Sequence, residues 1–104
     1  MADKNTVLTP QQIDEAGLSG WRRVEDTITA RFDTGDFTTG LALVDRIGLS
    51  AEAANHHPDL TLTYPEVTVT LSSHDVGGIT SRDIDLARVI DEHAEELGVS
   101  AAAD

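Results

Sequence analysis

The sequence predicts a single α+β domain in which helices cover one face of a four-stranded antiparallel sheet. Two patterns in its 104 residues lead to this prediction. Four short segments alternate apolar and polar residues, which is typical of half-buried antiparallel strands. Three other segments repeat apolar residues every three or four positions, as amphipathic helices do. Their order along the chain is helix, two strands, helix, two strands and helix.

Composition and charge limit the classes of function. The chain has 39% hydrophobic and 25% charged residues, no cysteine, and a net charge of −12 at pH 7. Disulfides, thiolate metal sites and a cysteine nucleophile are therefore excluded, and the charge disfavours binding to nucleic acid or anionic lipid. No apolar run is long enough for a membrane span, and the N-terminal residues lack the apolar stretch of a signal peptide. A cytoplasmic location is expected.

The first helix is predicted to begin at Pro10. Thr9 and the glutamine three residues later complete a capping box, and proline suits the first helical position. Residues 1–7 before it are expected to form a disordered tail. After this short helix the period changes to two, so residues 21–24 and 27–33 are predicted to pair as a hairpin.

The second helix is predicted from the N-cap Asp36 to about Asn55. Its apolar residues recur along one stripe, and Pro58 ends it because the residue before proline avoids the helical region. Gly40 and Gly48 each cost roughly 1 kcal/mol in a helix interior. Close packing against another backbone would explain these two glycines.

A second hairpin is predicted from two alternating segments, residues 60–64 and 67–72, with the turn at residues 65–66. Its aromatic residue Tyr64 is expected to pack in the core, as is Trp21 in the first hairpin, because strand aromatics usually do.

The last helix is predicted to start with a second capping box, formed by Thr80 and Asp83. Gly98 stops it, and residues 99–104 are expected to be a disordered tail. No linker or internal repeat interrupts the chain, so residues 1–104 form one predicted domain.

Three of the four histidines, His56, His57 and His74, fall in predicted loops beside the second hairpin. Imidazoles titrate near neutral pH, so this group suits acid–base catalysis on a bound substrate. A metal site is disfavoured because no HExxH spacing occurs, and no motif for a serine nucleophile or a phosphate loop is present. His93 is expected to be helix surface without a special role.

These histidines belong to an ordered set of motifs: EAANHHP at residues 52–58, Tyr64, VTVTLSSH at residues 67–74, and GITSRD at residues 78–83. The set closely resembles the pterin-4a-carbinolamine dehydratase family, and the resemblance extends from about Leu8 to Ala94. Three positions depart from the family pattern. They are Leu60 where tryptophan is common, Asn55 where aspartate is common, and Pro65 in the hairpin turn.

The resemblance implies dehydration of a 4a-hydroxytetrahydropterin to quinonoid dihydropterin, which recycles the cofactor of aromatic amino acid hydroxylases. It also implies a homodimer or homotetramer, and a reaction that needs no cofactor and no metal. The catalytic residues that it implies are His56, His57 and His74. The implied pterin-binding residues are Asn55, His56, His57, Ser72, Ser73, His74 and Asp75, with Glu52 and Asp83 as supporting carboxylates.

Within this site, His56 and His74 are expected to form the acid–base pair. The side chains of successive loop residues diverge, so His57 is expected mainly to position the pterin. Glu52 lies four residues before His56 and is expected to orient its ring and favour the protonated form, which makes His56 the acid. For Asp83 a catalytic or orienting role and a simple helix cap are equal alternatives.

An alternative from another class of function is a catalytically silent homologue that acts as an oligomeric interaction or assembly module. The three intact histidines favour the enzyme, because a scaffold has no need of clustered imidazoles.

Overall fold

The computed structural model describes residues 4–102, which form three helices and five strands. The helices are α1 (Pro10–Glu15), α2 (Phe37–Ala54) and α3 (Ser81–Glu96). The strands are β1 (Arg22–Val24), β2 (Thr27–Asp33), β3 (Asp59–Thr63), β4 (Glu66–Leu71) and β5 (Ser100–Ala101). The predicted α+β class is confirmed, and β5 adds a short fifth strand to the four that were predicted.

The strands form one antiparallel sheet in the order β1–β2–β4–β3, with β5 beside the end of β2. In the central pair, Ile28 lies opposite Leu71 and Phe32 lies opposite Val67. Because side chains alternate along a strand, these residues share one face, and they are almost completely buried. This face and the apolar stripes of α2 and α3 form the core, as the alternation predicts.

The predicted helix starts are present. Thr9 and Thr80 cap α1 and α3 in complete capping boxes. Asp36 caps α2, and its carboxylate accepts a hydrogen bond of 2.7 Å from the backbone N–H of Thr39. This bond lowers the pKa of Asp36 below its usual value. None of the helices within residues 4–102 is long and apolar enough to cross a membrane.

The C-terminal residues correct one prediction, because the expected tail at 99–104 contains β5. Gly98 has a φ of 72° and turns the chain back after α3, and Val99 is buried with 8% exposure. The Ala102 N–H then donates to the Arg31 carbonyl. A two-residue strand is too short to show a period in the sequence. The disordered tail expected at residues 1–7 is corrected in part as well, because Lys4 and Val7 contact Arg82 and Gly78. Residues 1–3 and 103–104 lie outside the described residues.

Trp21 and Tyr64, the aromatic residues of the two predicted hairpins, differ in burial. Trp21 is buried as expected, and its indole N–H donates to the Asp91 carboxylate at 2.9 Å. The prediction for Tyr64 is wrong, since this side chain is 68% exposed. Thr63 pairs with Glu66, so the turn consists of residues 64–65 and begins one position earlier than expected.

The two glycines of α2 also differ from the expectation that both face another backbone. A Cβ at Gly40 would lie 2.7 Å from Cδ1 of Leu62, so the close neighbour is a β3 side chain. A Cβ at Gly48 would meet nothing within 4 Å. Only Gly40 is therefore explained by packing.

Candidate active site

The predicted site residues lie on three segments that meet in space: the end of α2, the loop after β4 and the first turn of α3. The end of α2 carries His56 and His57, and the loop after β4 carries His74. Asp83 and Ser73 join the three segments by hydrogen bonds. The fold therefore brings together residues that are far apart in the sequence.

Asn55 determines how the chain leaves α2. It adopts the left-handed conformation with a φ of 50°, and its N–H bonds back to the carbonyls of the last turn. Asparagine tolerates this conformation better than most residues. The N–H of the next residue, His56, also donates to the Ala51 carbonyl at 3.1 Å. The helix thus ends abruptly, and the two histidines that follow have different surroundings.

His56 lies in a buried network around Asp83. The two side chains are 8% and 0% exposed, and Nε2 of His56 lies 2.6 Å from Oδ1 of Asp83. Oδ2 of Asp83 accepts from the Ser73 hydroxyl at 2.7 Å and from the Thr80 N–H at 2.9 Å. Three donors suit an ionised carboxylate. No buried side-chain nitrogen or oxygen of the described residues lacks a hydrogen-bond partner.

This network limits the chemistry of the His56 ring. When Asp83 accepts the Nε2 hydrogen, Nδ1 is the nitrogen that can exchange a proton with a substrate. The contact with the buried carboxylate also fixes the orientation of the ring. Asp83 thus caps α3 with one oxygen and contacts His56 with the other, and its role in a reaction stays a prediction.

Glu52 does not orient His56, which corrects the prediction based on the spacing of four residues. Its carboxylate instead contacts Nε2 of His57. The helical spacing fails because Asn55 leaves the α-helical conformation before His56 is reached. The His57 and Glu52 side chains are 56% and 75% exposed, so this pair adds little to stability. It does hold one nitrogen of the His57 ring, Nε2.

His74 lies in a four-residue loop that the Ser73–Gly78 pair closes. The Ser73 N–H donates to the Gly78 carbonyl at 2.9 Å, and Gly77 has a φ of 74°. The His74 side chain is exposed, and its ring makes no hydrogen bond to any of residues 4–102. The ring is therefore accessible to a ligand. The backbone of the loop sets the direction in which the ring points.

Asp75, the next residue, forms a two-pronged ion pair with Arg82. One guanidinium nitrogen lies 3.0 Å and 3.2 Å from the two carboxylate oxygens. The hydrogen bond from Arg82 lowers the pKa of Asp75, and the nearby His56 adds a smaller effect in the same direction. Asp75 and His56 thus share one electrostatic environment.

The predicted pterin-binding serines have different accessibility. Ser72 is half-buried at the end of β4. Ser73 is 1% exposed, and its hydroxyl is engaged by Asp83 and Thr80. The Ser73 hydroxyl is thus engaged within the protein, and its contact with the pterin stays a prediction.

A cleft of about 290 Å³ between α2 and the start of α3 reaches His56. Ala54 and Leu86 contribute apolar lining, and Ser50 and Arg82 contribute polar groups. A depression of about 600 Å³ on the sheet, beside Trp21, contains none of the predicted site residues. In the described part of the chain, no group of three or more histidine, aspartate or glutamate side chains could hold a metal ion.

His93 is not the featureless surface residue that the sequence predicted. Its Nε2 lies 2.7 Å from the Ser50 hydroxyl, and its Nδ1 lies 3.4 Å from Glu96. The ring therefore joins α3 to α2. The contact was missed because Ser50 and His93 are 43 residues apart, and only the packing of the two helices brings them together.

Arg82 is the functional candidate that sequence reasoning missed. It lies inside the GITSRD motif, but no role was assigned to it. Its contact with Asp75 spans the loop and the helix start, which no local pattern indicates. Its charge at the predicted start of α3 would have been the only available signal, and such charges are common on surfaces.

The chain is similar to known proteins in sequence and in fold. The sequence profile of the family described as pterin 4 alpha carbinolamine dehydratase matches residues 6–93. A relative from Thermosynechococcus vestitus, named "Putative pterin-4-alpha-carbinolamine dehydratase", is 48% identical over 85 residues, which covers 80% of this chain and 90% of the relative.

Two solved structures are similar as well. The first, "transcriptional coactivator/pterin dehydratase" from Brucella melitensis, has a TM-score of 0.82 and 35% identity, and the match covers 86% of this chain and 99% of that one. The second, a pterin dehydratase-like protein described as a RuBisCO assembly factor in the α-carboxysome, has a TM-score of 0.59 and 20% identity. That match covers 71% of this chain and 86% of the other, and it concerns the fold alone.

Proposed function

The chain belongs to the pterin-4a-carbinolamine dehydratase family, and we propose that it converts a 4a-hydroxytetrahydropterin to quinonoid dihydropterin and water. The observation that supports this activity most is the buried pair of His56 and Asp83, and a second imidazole, that of His74, is exposed in the loop after β4. We place the reaction in the cytoplasm, after an aromatic amino acid hydroxylase that produces the carbinolamine.

The reaction needs one acid and one base. The C4a–O bond breaks as the hydroxyl leaves with a proton, the N5–H proton is lost, and a C4a=N5 double bond forms. Protonated His56 donates from Nδ1 to the departing hydroxyl, while Asp83 holds Nε2. Neutral His74 accepts the proton from N5. Each positioned proton transfer is worth roughly 10²–10⁴ in rate.

The remaining residues bind and orient the pterin in this proposal. His57 is held by Glu52 and serves mainly as a binding residue. Asn55, Ser72 and Asp75 contribute further polar contacts at the edge of the same region. Asp83 takes the orienting role that the sequence had assigned to Glu52.

We also infer that the chain forms a homodimer or homotetramer. In the described part of the chain, β3 pairs only with β4 and leaves its outer edge open. An open edge favours pairing with another strand, and cyclic self-association is the commonest way to cover such a surface. Light scattering at micromolar concentration is expected to give a mass of two or four chains, and a monomeric mass would contradict this inference.

A second candidate function is a non-catalytic interaction or assembly module. The outer side of α2 favours it, because Phe37, Leu41 and Leu49 are 46%, 52% and 68% exposed. The RuBisCO assembly factor has a similar fold. In this case the histidines would have no chemical task, and their replacement would leave the function unchanged.

The two candidates are distinguished by stopped-flow measurement of carbinolamine loss, followed by ultraviolet absorbance. We expect the protein to accelerate the loss over buffer, in proportion to its concentration. A variant of the outer side of α2, Leu49→Ser, is a suitable comparison, because only the interaction module requires that surface. No acceleration by the unmodified protein would overturn the dehydratase proposal.

A further inference from the structure

We propose that Arg82 and the N-terminal segment at residues 4–8 form a clamp that positions the His74 loop. By the His74 loop we mean residues 74–77. The inference rests on the proposed function, in which His74 is the base. It assigns Arg82 as a positioning residue, because its guanidinium acts on His74 through Asp75 and the backbone.

Arg82 makes contacts in two directions. Its Nη2 bonds both oxygens of Asp75, which lies in the His74 loop. Its Nε donates to the backbone carbonyl of Lys4 at 3.1 Å. The side chain is only 24% exposed, although it carries a full charge. One planar group at the start of α3 therefore joins the loop to the N-terminal segment.

The N-terminal segment packs on the same loop independently of Arg82. The Leu8 N–H donates to the Ile79 carbonyl at 2.8 Å. Val7 covers Gly78 so closely that a Cβ at Gly78 would lie 2.8 Å from Cγ1 of Val7. Both contacts fall directly after the His74 loop. The segment therefore holds the residues that follow the loop, and Arg82 holds Asp75 within the loop.

The loop needs this support because of its own structure. The Ser73–Gly78 pair closes both ends of the loop, and the N–H groups of Val76 and Gly77 donate to the Ser73 carbonyl, but the His74 ring has no hydrogen-bond partner among residues 4–102. Small errors in position are costly for proton transfer, since a shift of about 1 Å can reduce a rate by about 10². A two-pronged ion pair on the adjacent residue limits such shifts.

Arginine suits this task better than lysine. A guanidinium presents several donors in a fixed plane, so it can bond Asp75 and the Lys4 carbonyl at once. A lysine ammonium would keep the positive charge, but it could not make both contacts in one fixed geometry. Exposed ion pairs contribute little to stability, and Asp75 is 61% exposed. We therefore expect the contact to affect the geometry of the loop more than the stability of the fold.

The test compares Arg82→Met and Arg82→Lys with the matched control Arg88→Met. Arg88 also lies on the exposed side of α3 and also donates to a backbone carbonyl, that of Ala16. We expect Arg82→Met to lower kcat about tenfold while KM changes less than about threefold, with partial recovery in Arg82→Lys. Arg88→Met should remain within about twofold of the unmodified protein.

The mobility of the loop can be measured without the dehydratase activity, so it tests the clamp separately from the proposed function. Backbone ¹⁵N relaxation should show the order parameters of residues 74–77 falling from about 0.85 to below about 0.6 in Arg82→Met but not in Arg88→Met. If the unmodified protein has no dehydratase activity, this experiment still tests the clamp. Unchanged order parameters in Arg82→Met would overturn it, as would an unchanged kcat. If Arg82→Met does not fold, Arg82→Lys decides by the same two measurements.

Discussion

Asp83 uses its two carboxylate oxygens for two purposes. Oδ1 holds the ring of His56, and Oδ2 binds the Ser73 hydroxyl and the Thr80 N–H. One side chain thus fixes both the start of α3 and the candidate acid. The sequence alone could not separate these tasks, because an aspartate three residues after a capping threonine is explained by the helix start alone.

The first prediction follows from this double task. Asp83→Asn keeps the shape of the side chain but removes the charge that is paired with His56. Because a buried ion pair loses one partner, the free energy of unfolding should fall by about 3 kcal/mol, and kcat should fall by at least about tenfold. Urea denaturation and steady-state kinetics measure the two effects. An unchanged free energy of unfolding together with an unchanged kcat would mean that Asp83 serves only as the cap of α3.

The second prediction concerns the two more accessible histidines. His74→Ala should lower kcat by about 10²-fold or more, because the proposed base is lost. His57→Ala should chiefly raise KM, because its ring binds the pterin. Steady-state kinetics on both variants distinguish the roles. A lost kcat in His57→Ala together with a normal kcat in His74→Ala would reverse the assignment.

At the scale of elements, the periodic patterns were sufficient to locate every helix and the two hairpins. They failed where a single residue changes the backbone direction. Asn55 turns out of the helix and breaks the assumed spacing between Glu52 and His56. Another wrong prediction concerned Tyr64, which is exposed because residues 64–65 form the turn. Neither event changes the apolar period on which the predictions were based.

The third prediction uses the two glycines of α2 as a matched pair. Gly48→Ala should raise the free energy of unfolding by about 0.5–1 kcal/mol, since alanine favours the helix and nothing obstructs its Cβ. In Gly40→Ala the free energy of unfolding should rise less or should fall, because the new Cβ would displace Leu62. Urea denaturation of both variants measures this difference. A larger gain for Gly40→Ala would contradict the packing of α2 on β3.

The fourth prediction concerns pH and the contact between α3 and Trp21, the residue just before β1. Burial raises the pKa of Asp91, and the hydrogen bond from Trp21 opposes this effect only in part. A raised pKa means that the ionised carboxylate opposes folding, so stability falls as the pH rises above the usual carboxyl value. Asp91→Asn keeps an acceptor for the Trp21 N–H and removes that charge.

We therefore expect Asp91→Asn to have a higher Tm than the unmodified chain at pH 7, and a smaller advantage near pH 4, where Asp91 becomes protonated. Thermal melting at the two pH values measures both differences. An advantage that grows as the pH falls would contradict the assigned direction of the pKa.

For the whole molecule, the sequence predicted the fold class and the family, because the motifs are spread over nearly the full chain. It did not predict the contacts between elements that are distant in sequence. His56 with Asp83, Ser50 with His93, and Arg82 with the N-terminal segment all depend on how α2 and α3 pack on the sheet. Periodicity gives the buried face of each element, but it does not give the register between two helices.

In the proposed function, His56, held by Asp83, acts as the acid in carbinolamine dehydration. The most direct measurement is the rate of carbinolamine loss with His56→Ala, followed by stopped-flow absorbance beside the unmodified protein. We expect a folded variant whose kcat is lower by about 10²-fold or more. A folded His56→Ala variant with a kcat within about twofold of the unmodified protein would contradict the claim.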